Sequence, residues 1–513
     1  MPDFPNDAQA LRERGEIAAA RARCEARLRD APDDARALDL MAALAADEGD
    51  NAGALGWAQR ALAADPRLAA AHYTLGRIHQ AEGRAAQAEA SYLRSLQLDP
   101  GQARAYNNLG CVQQTSGRLE AAIQSFRRAL ALDPELPQSL LNLASLTGER
   151  RLLARSAANY RRQAGLNPRD ALVCHDLGNV YRELGQLDAA LAWHEEALRR
   201  DPECAEAHFA RGLVLLLQGR LAEGWAENEW RFRAKALGTP AREPLRSRWD
   251  GSDLGGRTLL LHAEQGLGDS ILFARYASLA ARRCGRLIVE CPASLKGLLA
   301  TVEGVDIALA QGEPLPPFDA HLSLVSLPRI FGTTLESIPW SGPYLRVDPG
   351  RMAHWRRLRS GTKRLVGLAW AGQPGQGDDR KRSLALAALA PLAAAPGIRF
   401  VSLQKGAPAA QAKDPPAGLE LVDETAALHD LMETAALMAN LDLVVSVDTS
   451  VANLAGAMGL PAWVLLSRVP DWRWLLGRET TPWYPTLRLL RQQGEGDWAP
   501  VVARLAVELA RLP

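Results

Sequence analysis

Two closely spaced glycines followed by an aspartate could form part of a site for a bound molecule. Gly266, Gly268 and Asp269 follow the apolar run 257–262, which predicts a strand, and they open a segment with helical apolar spacing. The glycines let another molecule approach the backbone closely, and the start of the helix presents unpaired N–H groups beside them. Asp269 could equally be only a capping residue of the helix, and the sequence leaves open whether it belongs to a ligand site.

A second polar turn joins a predicted strand to a predicted helix. Asp448, Thr449 and Ser450 follow the apolar run 441–447, and the helix that begins there carries Asn453. Free backbone N–H groups at a helix start, the positive end of its dipole and two hydroxyls together suit the binding of a diphosphate. A well-capped helix without a ligand is the alternative.

A glycine-rich loop ends in three cations. It spans 373–383 after the predicted strand 364–372, and it closes with Arg380, Lys381 and Arg382. Cations at the ligand edge of a sheet can pair with phosphate oxygens. A solvated surface loop explains these charges as well.

These three turns require a sheet that positions them. Short apolar runs alternate with helical segments, which indicates parallel sheets with helices on both faces. We predict two doubly wound lobes, at 257–350 and 351–513, with a helix at about 497–511 that closes the second lobe. Ligands of such sheets bind beyond the carboxyl ends of the strands, where all three turns lie. The predicted strands are 257–262, 286–291, 364–372, 399–404, 441–447 and 461–466.

The N-terminal part of the chain is a repeat array. Proline recurs with a constant period from Pro32 to Pro202, and glycine recurs in the same register. Each unit contains two amphipathic helical patterns, so the units must bury their apolar faces on their neighbours. A glycine in the first helix, such as Gly110, lets the two helices of a unit approach closely. We predict an all-α array over 1–238 and a linker over 239–256.

Polar side chains recur at the sixth position of successive units, at Thr74, Asn108, Asn142 and Asp176. They share one face of the first helix of each unit, and an amide side chain offers both a donor and an acceptor. Asn108 and Asn142 are therefore candidates for binding the backbone of an extended peptide acceptor. Chance register without a ligand role is the alternative.

The composition argues against several classes of protein. The 60 basic and 59 acidic residues leave a formal net charge of +1, so no global field favours nucleic acid. The six cysteines show no Cys-x-x-Cys spacing, and no cluster has the spacing of a metal site. No apolar stretch approaches the roughly 20 residues of a membrane span. We expect a cytoplasmic protein that needs no metal or other cofactor.

Two parts of this sequence each resemble a known protein family. The repeats resemble tetratricopeptide (TPR) repeats over nearly the first half of the chain. Residues 245–495 resemble the GT-B nucleotide-sugar glycosyltransferases, whose fold has two Rossmann-like lobes. The closer resemblance is to the heptosyltransferase-like glycosyltransferase family 9, in the branch fused to TPR repeats. The motifs that support it are GLGDS (266–270), GLAWAG with DRKRS (379–383), FVSLQKG (400–406), VVSVDTSVANLAGAMGLPAWVLL (444–466) and DWRWLLGRETTPWYP (471–485).

The resemblance implies an inverting, metal-independent transfer of a sugar from a nucleotide-diphosphate sugar to a hydroxyl. Asp269 would be the general base, Arg382 would contact the donor phosphates, and the 448–450 turn would hold the diphosphate. This chain departs from the family at Asn453, where histidine is usual, and a neutral amide cannot neutralise a leaving diphosphate. The implied donor-binding residues are Gly266, Gly268, Arg382, Gln404, Asp448, Thr449, Ser450 and Asn453.

The domain layout is similar to that of the protein O-GlcNAc transferases, which implies a polypeptide acceptor held along the concave face of the array. One alternative is a glycan or lipid-linked acceptor, with the repeats docking other partners. Another is a non-catalytic scaffold whose transferase fold has decayed at Asn453. Trp472, Trp474 and Trp483 either line the ligand cleft or pack between the lobes.

Overall fold

The structure is a computed structural model. It describes residues 4–234, 247–359, 361–373, 379–494 and 496–512. Residues 239–246 of the predicted linker and residues 374–378 of the predicted glycine loop lie outside the described residues. Contacts divide the chain into two compact units, of which the first ends at Ala207 and the second begins at His208. The last pair of repeat helices thus groups with the sheets, whereas the sequence prediction extends the array to 238.

The first unit consists of paired helices, as the repeat predicts. Glycines in the left-handed region end several of them, for example Gly117 at φ 76°. The helices are α1 (Phe4–Glu13), α2 (Ile17–Asp30), α3 (Ala35–Glu48), α4 (Asn51–Ala64), α5 (Ala69–Ala81), α6 (Ala85–Leu98), α7 (Ala103–Thr115), α8 (Leu119–Leu132), α9 (Pro137–Thr147), α10 (Arg150–Leu166), α11 (Ala171–Glu183) and α12 (Leu187–Arg200), and the repeat continues with α13 (Ala205–Leu217) and α14 (Leu221–Asn228).

The two helices of a repeat unit approach closely at a glycine. A Cβ atom added at Gly110 in α7 would lie 2.6 Å from the ring of Phe126 in α8. Gly76 stands in the same relation to Tyr92, also at 2.6 Å. Any larger residue would force these helices apart, so the packing role predicted for this glycine series is confirmed.

The second unit contains two parallel sheets. Their orders are β1-β5-β2-β3-β4 and β11-β10-β9-β6-β7-β8, and every strand pair in them is parallel. The predicted fold class, a helical repeat array followed by an α/β region with two doubly wound sheets, is confirmed. The strands are β1 (Ser247–Arg248), β2 (Thr258–His262), β3 (Arg286–Cys291), β4 (Ile307–Ala310), β5 (Ala320–Ser323), β6 (Arg364–Ala369), β7 (Ile398–Ser402), β8 (Leu421–Val422), β9 (Leu443–Val447), β10 (Ala462–Leu466) and β11 (Leu487–Arg491).

Short helices connect these strands. Two of them follow central strands directly: α15 comes after β2, and α22 comes after β9. The helices are α15 (Leu267–Ala274), α16 (Ala277–Ala281), α17 (Lys296–Leu299), α18 (Leu327–Ile330), α19 (Pro349–Trp355), α20 (Asp379–Arg382), α21 (Leu431–Met438), α22 (Ser450–Ala457) and α23 (Ala499–Ala510).

Each lobe has an apolar core that fixes its strands. The last helix, α23, buries Val501, Leu505 and Leu509 in the core that also contains Phe400 and Leu443 of the second sheet. Burial of each such side chain contributes about 1.5–3 kcal/mol. The C-terminal helix therefore covers one face of the second sheet.

A cluster of aromatic side chains links α14 to both lobes. Trp225 of α14 is 2% exposed and packs edge-to-face on Phe273, Trp472 and Trp483. Edge-to-face pairs add about 0.5–1.5 kcal/mol each beyond their burial. This cluster explains why α14 belongs with the sheets.

Among the described helices, none combines the length and the apolar composition required to cross a bilayer.

Candidate functional site

The strand orders show where a ligand site can form. In the first sheet, β2 lies between β3, which follows it in the chain, and β5. In the second sheet, β6 lies between β7, which follows it in the chain, and β9. A crevice opens beyond the carboxyl ends of the strands where the order reverses in this way. The turn after β2 contains Gly266, Gly268 and Asp269, and the turn after β9 contains Asp448 and Thr449.

The two turns lie against one another. A Cβ atom added at Gly268 would lie 3.0 Å from the amide nitrogen of Asn453 and 4.0 Å from the Cα atom of Ser450. Gly268 is in the first turn of α15, and Ser450 begins α22. The N-terminal ends of two helices, one from each lobe, therefore meet. Both present N–H groups and positive dipole ends, so together they favour an anion more strongly than either end alone.

Asp269 lies at this meeting point and has two partners. One carboxylate oxygen accepts a hydrogen bond from the backbone N–H of Gly266 at 3.2 Å. The other accepts one from Nη2 of Arg473, which belongs to the second lobe. The capping role that the sequence left open is therefore present, and it coexists with an ion pair between the lobes.

Arg473 is the functional candidate that the sequence analysis missed. Its side chain is 9% exposed, and its Nη1 lies 2.9 Å from a carboxylate oxygen of Asp471. Burial lowers the pKa of Arg473, but the nearby carboxylates of Asp471, Asp269 and Asp448 outweigh burial, and the pKa is raised overall. Its Nε–H is buried and has no hydrogen-bond partner among the described residues. The only signal in the sequence was an arginine within the tryptophan-rich segment 471–485.

Asp448 is buried and interacts electrostatically with this arginine. Burial is the main cause that raises the pKa of Asp448, and the carboxylate of Asp471 raises it further, while Arg473 and Arg382 oppose the shift. Asp448 is therefore part of the same charged cluster as Arg473, Asp471 and Arg382.

The two hydroxyls of the second turn have different surroundings. The Thr449 hydroxyl accepts a hydrogen bond from the N–H of Val451 at 3.3 Å and lies 3.0 Å from the hydroxyl of Ser446. It therefore caps α22, as the alternative interpretation of this turn held. Ser450 is partly exposed. Its hydroxyl lies at the helix end where an anion would bind.

Arg382 lies at the neighbouring strand end. Its Nε is 3.7 Å from a carboxylate oxygen of Asp379 in α20. A Cβ atom added at Gly372 would lie 2.9 Å from Nη2 of Arg382, so the guanidinium packs over the backbone that follows β6. Its charge acts on Asp448, which places Arg382 in the same electrostatic cluster as Arg473.

Gln404 and Asn453 have partners within the protein. The Gln404 side chain accepts hydrogen bonds from the N–H groups of Trp370 and Ala371 at 2.9 and 2.8 Å. Asn453 is 1% exposed; it donates to the carbonyl oxygen of Thr449 at 3.2 Å and accepts from the hydroxyl of Tyr484 at 3.2 Å. Both amides fix the backbone at the strand ends, and their contact with a donor stays a prediction.

The three tryptophans near the C-terminus pack in the core. Trp474 and Trp483 are fully buried and Trp472 is 9% exposed. Trp472 stacks on Phe273 of α15. Of the two roles considered for these residues, packing between the lobes is the one that these contacts support.

The polar series of the array forms hydrogen bonds between units. Asn108 donates to the hydroxyl of Tyr73 at 3.2 Å, and Asn142 donates to the side-chain oxygen of Asn107 at 3.2 Å. Ser139 donates to that same oxygen at 2.9 Å. These bonds link neighbouring first helices, so the amides have a structural use in addition to the predicted binding of a peptide.

Comparison with known proteins identifies the array. The family models "Tetratricopeptide repeat" and "TPR repeat" match residues 67–135 and 178–219. These segments are tetratricopeptide repeats, as the sequence analysis predicted.

A curated protein is similar to this chain over more than half of its length. Protein FlbA of Caulobacter vibrioides is 32% identical over 362 residues, which cover 64% of this chain and 59% of the relative. The chain thus spans less than two thirds of the length of that relative.

Solved structures are similar to each part. A glycosyl transferase family 9 protein from Veillonella parvula is 10% identical with a TM-score of 0.37, covering 48% of this chain and 88% of its own. A tetratricopeptide repeat protein from Parabacteroides merdae is 17% identical with a TM-score of 0.32, covering 47% of this chain and 94% of its own.

Proposed function

We propose that the second unit is a glycosyltransferase that moves a sugar from a nucleoside-diphosphate donor to an acceptor hydroxyl. One observation supports this most directly: the N-terminal ends of α15 and α22 meet beside Arg473. A diphosphate needs several N–H donors and a cation within a few ångströms, and this arrangement offers them.

The donor diphosphate would bind at the start of α22. The N–H groups of its first turn and the Ser450 hydroxyl would donate to the phosphate oxygens, and Arg473 and Arg382 would balance their charge. Arg473 and Arg382 both act electrostatically on Asp448, which begins this turn.

Asp269 would accept the proton of the acceptor hydroxyl. The acceptor oxygen then forms a bond to the anomeric carbon, while the bond from that carbon to the phosphate oxygen breaks with its electron pair on the departing nucleoside diphosphate. Attack from the opposite side inverts the configuration. The N–H groups and the guanidinium stabilise the charge that develops on the leaving group, and this step uses no metal.

The acceptor in this proposal is a polypeptide held by the tetratricopeptide array. The polar series of Asn108 and Asn142 supports a peptide-binding face, since an extended peptide offers alternating donors and acceptors. A glycan acceptor is favoured by one observation, the use of both amides in bonds between units. Replacing both asparagines by alanine in the full chain should abolish transfer to protein and spare transfer to a glycan.

A ligand panel tests the donor site. UDP, GDP, ADP and CDP are compared with the matching monophosphates by thermal unfolding of the full chain. One diphosphate should stabilise the protein by about 2.7 kcal/mol at about 100 times its Kd, and its monophosphate should stabilise it less. If no diphosphate raises the unfolding temperature, the protein is a scaffold and the proposed activity is wrong.

A further inference from the structure

Arg473 interacts with three carboxyl groups. The carboxylates of Asp269 and Asp471 bind it directly, and Asp448 acts on it at close range. One buried guanidinium thus serves three carboxyl groups. Such a cation gains strongly from a further anion only if it releases one of those it already has.

The two direct partners hold Arg473 differently. Asp471 is in the same turn, and its carboxylate also accepts the backbone N–H of Arg473 at 3.1 Å. Asp269 comes from the other lobe and contacts the guanidinium through one oxygen. The bond to Asp471 is therefore fixed by local geometry, whereas the bond to Asp269 spans the two lobes and can be exchanged.

The ion pair conflicts with the role of Asp269 in the transfer step. Both of its oxygens already accept hydrogen bonds, one from Gly266 and one from Arg473. An oxygen that already accepts a hydrogen bond from the guanidinium is not available to accept the proton of a hydroxyl. The pair also lies where a diphosphate at the start of α22 would present its oxygens, because Gly268 contacts Ser450 there.

We propose that Arg473 is a positioning residue that senses the donor. Without donor it holds Asp269; the diphosphate replaces Asp269 on the guanidinium and frees the carboxylate for the acceptor hydroxyl. The inference rests on the proposed function. The planar guanidinium binds phosphate through two parallel N–H donors, and its unpartnered Nε–H supplies a second donor beside the two Nη groups. The base becomes available only after the donor has bound, so donor binds first and acceptor second.

A double-mutant cycle on the full chain tests the exchange. The nucleoside diphosphate that binds best among UDP, GDP, ADP and CDP is titrated by calorimetry into the wild type, Asp269→Asn, Arg473→Met and the double variant. Asp269→Asn should tighten binding about tenfold, equal to about 1.4 kcal/mol, since the phosphate no longer competes with a carboxylate. Arg473→Met should weaken binding, and in that background Asp269→Asn should give no gain.

Asp442→Asn is the matched control. Asp442 also combines a backbone N–H, from Leu365 at 2.8 Å, with a guanidinium, from Arg359 at 3.0 Å. It precedes β9 and is therefore at the opposite end of the strand from the site. Its substitution should leave the affinity unchanged.

The outcomes separate the two proposals. If the wild type binds no nucleoside diphosphate, the proposed function is wrong and the exchange fails with it. If the ligand binds but Asp269→Asn tightens it equally with and without Arg473, the gain is simple removal of charge, and only the exchange is wrong. If Arg473→Met does not fold, Arg473→Lys replaces it. In that variant, Asp269→Asn should tighten nucleotide binding less than it does in the wild type. An equal tightening overturns the exchange.

Discussion

The free energy of unfolding of the repeat array should depend on pH through the titration of Asp176. Burial raises the pKa of Asp176 from 3.8 to about 7; a hydrogen bond from the Tyr160 hydroxyl opposes this shift, and the charge of Asp170 adds to it. Asp176 is in the same register as Asn108 and Asn142, so its charge state also affects the candidate peptide-binding face. We predict that Asp176→Asn makes the free energy of unfolding less dependent on pH.

The size of the effect follows from the shift. One pKa unit is worth about 1.4 kcal/mol, so the whole shift of Asp176 amounts to at most about 4 kcal/mol. Because the pKa is higher in the folded state, this stabilisation is present below pH 3.8 and is lost as the pH rises through 7. The share of this stabilisation that is lost above pH 5 is at most about 2.7 kcal/mol.

Urea unfolding of the array, followed by far-UV circular dichroism at several values between pH 5 and pH 8, measures the difference. The wild type should lose up to about 2.7 kcal/mol relative to Asp176→Asn over this range. Asp133→Asn, at an exposed aspartate in a turn of the array, is the control and should follow the wild type. Parallel curves for the wild type and Asp176→Asn would refute the reasoning.

Two further substitutions test the contacts between the lobes. Gly268→Ala places a methyl group 3.0 Å from the amide nitrogen of Asn453, so calorimetry should show nucleoside-diphosphate affinity reduced about tenfold. Gly256→Ala, with nothing within 4 Å, should bind normally; equal loss in both variants would contradict this explanation. Trp225→Ala removes a buried ring that packs on Phe273, so thermal unfolding of the second unit should show a loss of about 3–5 kcal/mol. A loss below about 1 kcal/mol would mean that α14 is not held by this cluster.

The predictable parts of the fold are those in which sequence neighbours are also spatial neighbours. The helix pairs followed from the repeat, and β2, β3, β6, β7, β9 and β10 followed from apolar runs. The strand β11 was not predicted. The strands β1, β4, β5 and β8 were not predicted either, because β1 and β8 have two residues each and β4 and β5 have four. Such short segments lack a period that distinguishes them from loops.

The candidate site was predictable only in part for a similar reason. Asp448 follows β9 directly, and Asp269 and Ser450 lie in the first turns of the helices after β2 and β9. The carboxyl end of a parallel strand is a ligand position in any doubly wound sheet. The amides of Asn108 and Asn142 were predicted to face a ligand. Their bonds to Tyr73 and Asn107 depend on the packing of one unit on the next, which a single repeat does not specify.

The sequence by itself determined the repeat array, the parallel sheets and the strand ends at which chemistry can occur, because each depends on local periodicity and on short connections. The tertiary structure alone decided that α15 and α22 meet end to end and that Arg473 reaches Asp269 across the lobes. Residues about two hundred positions apart become partners only when two independently folded sheets pack together, and no local pattern encodes that contact.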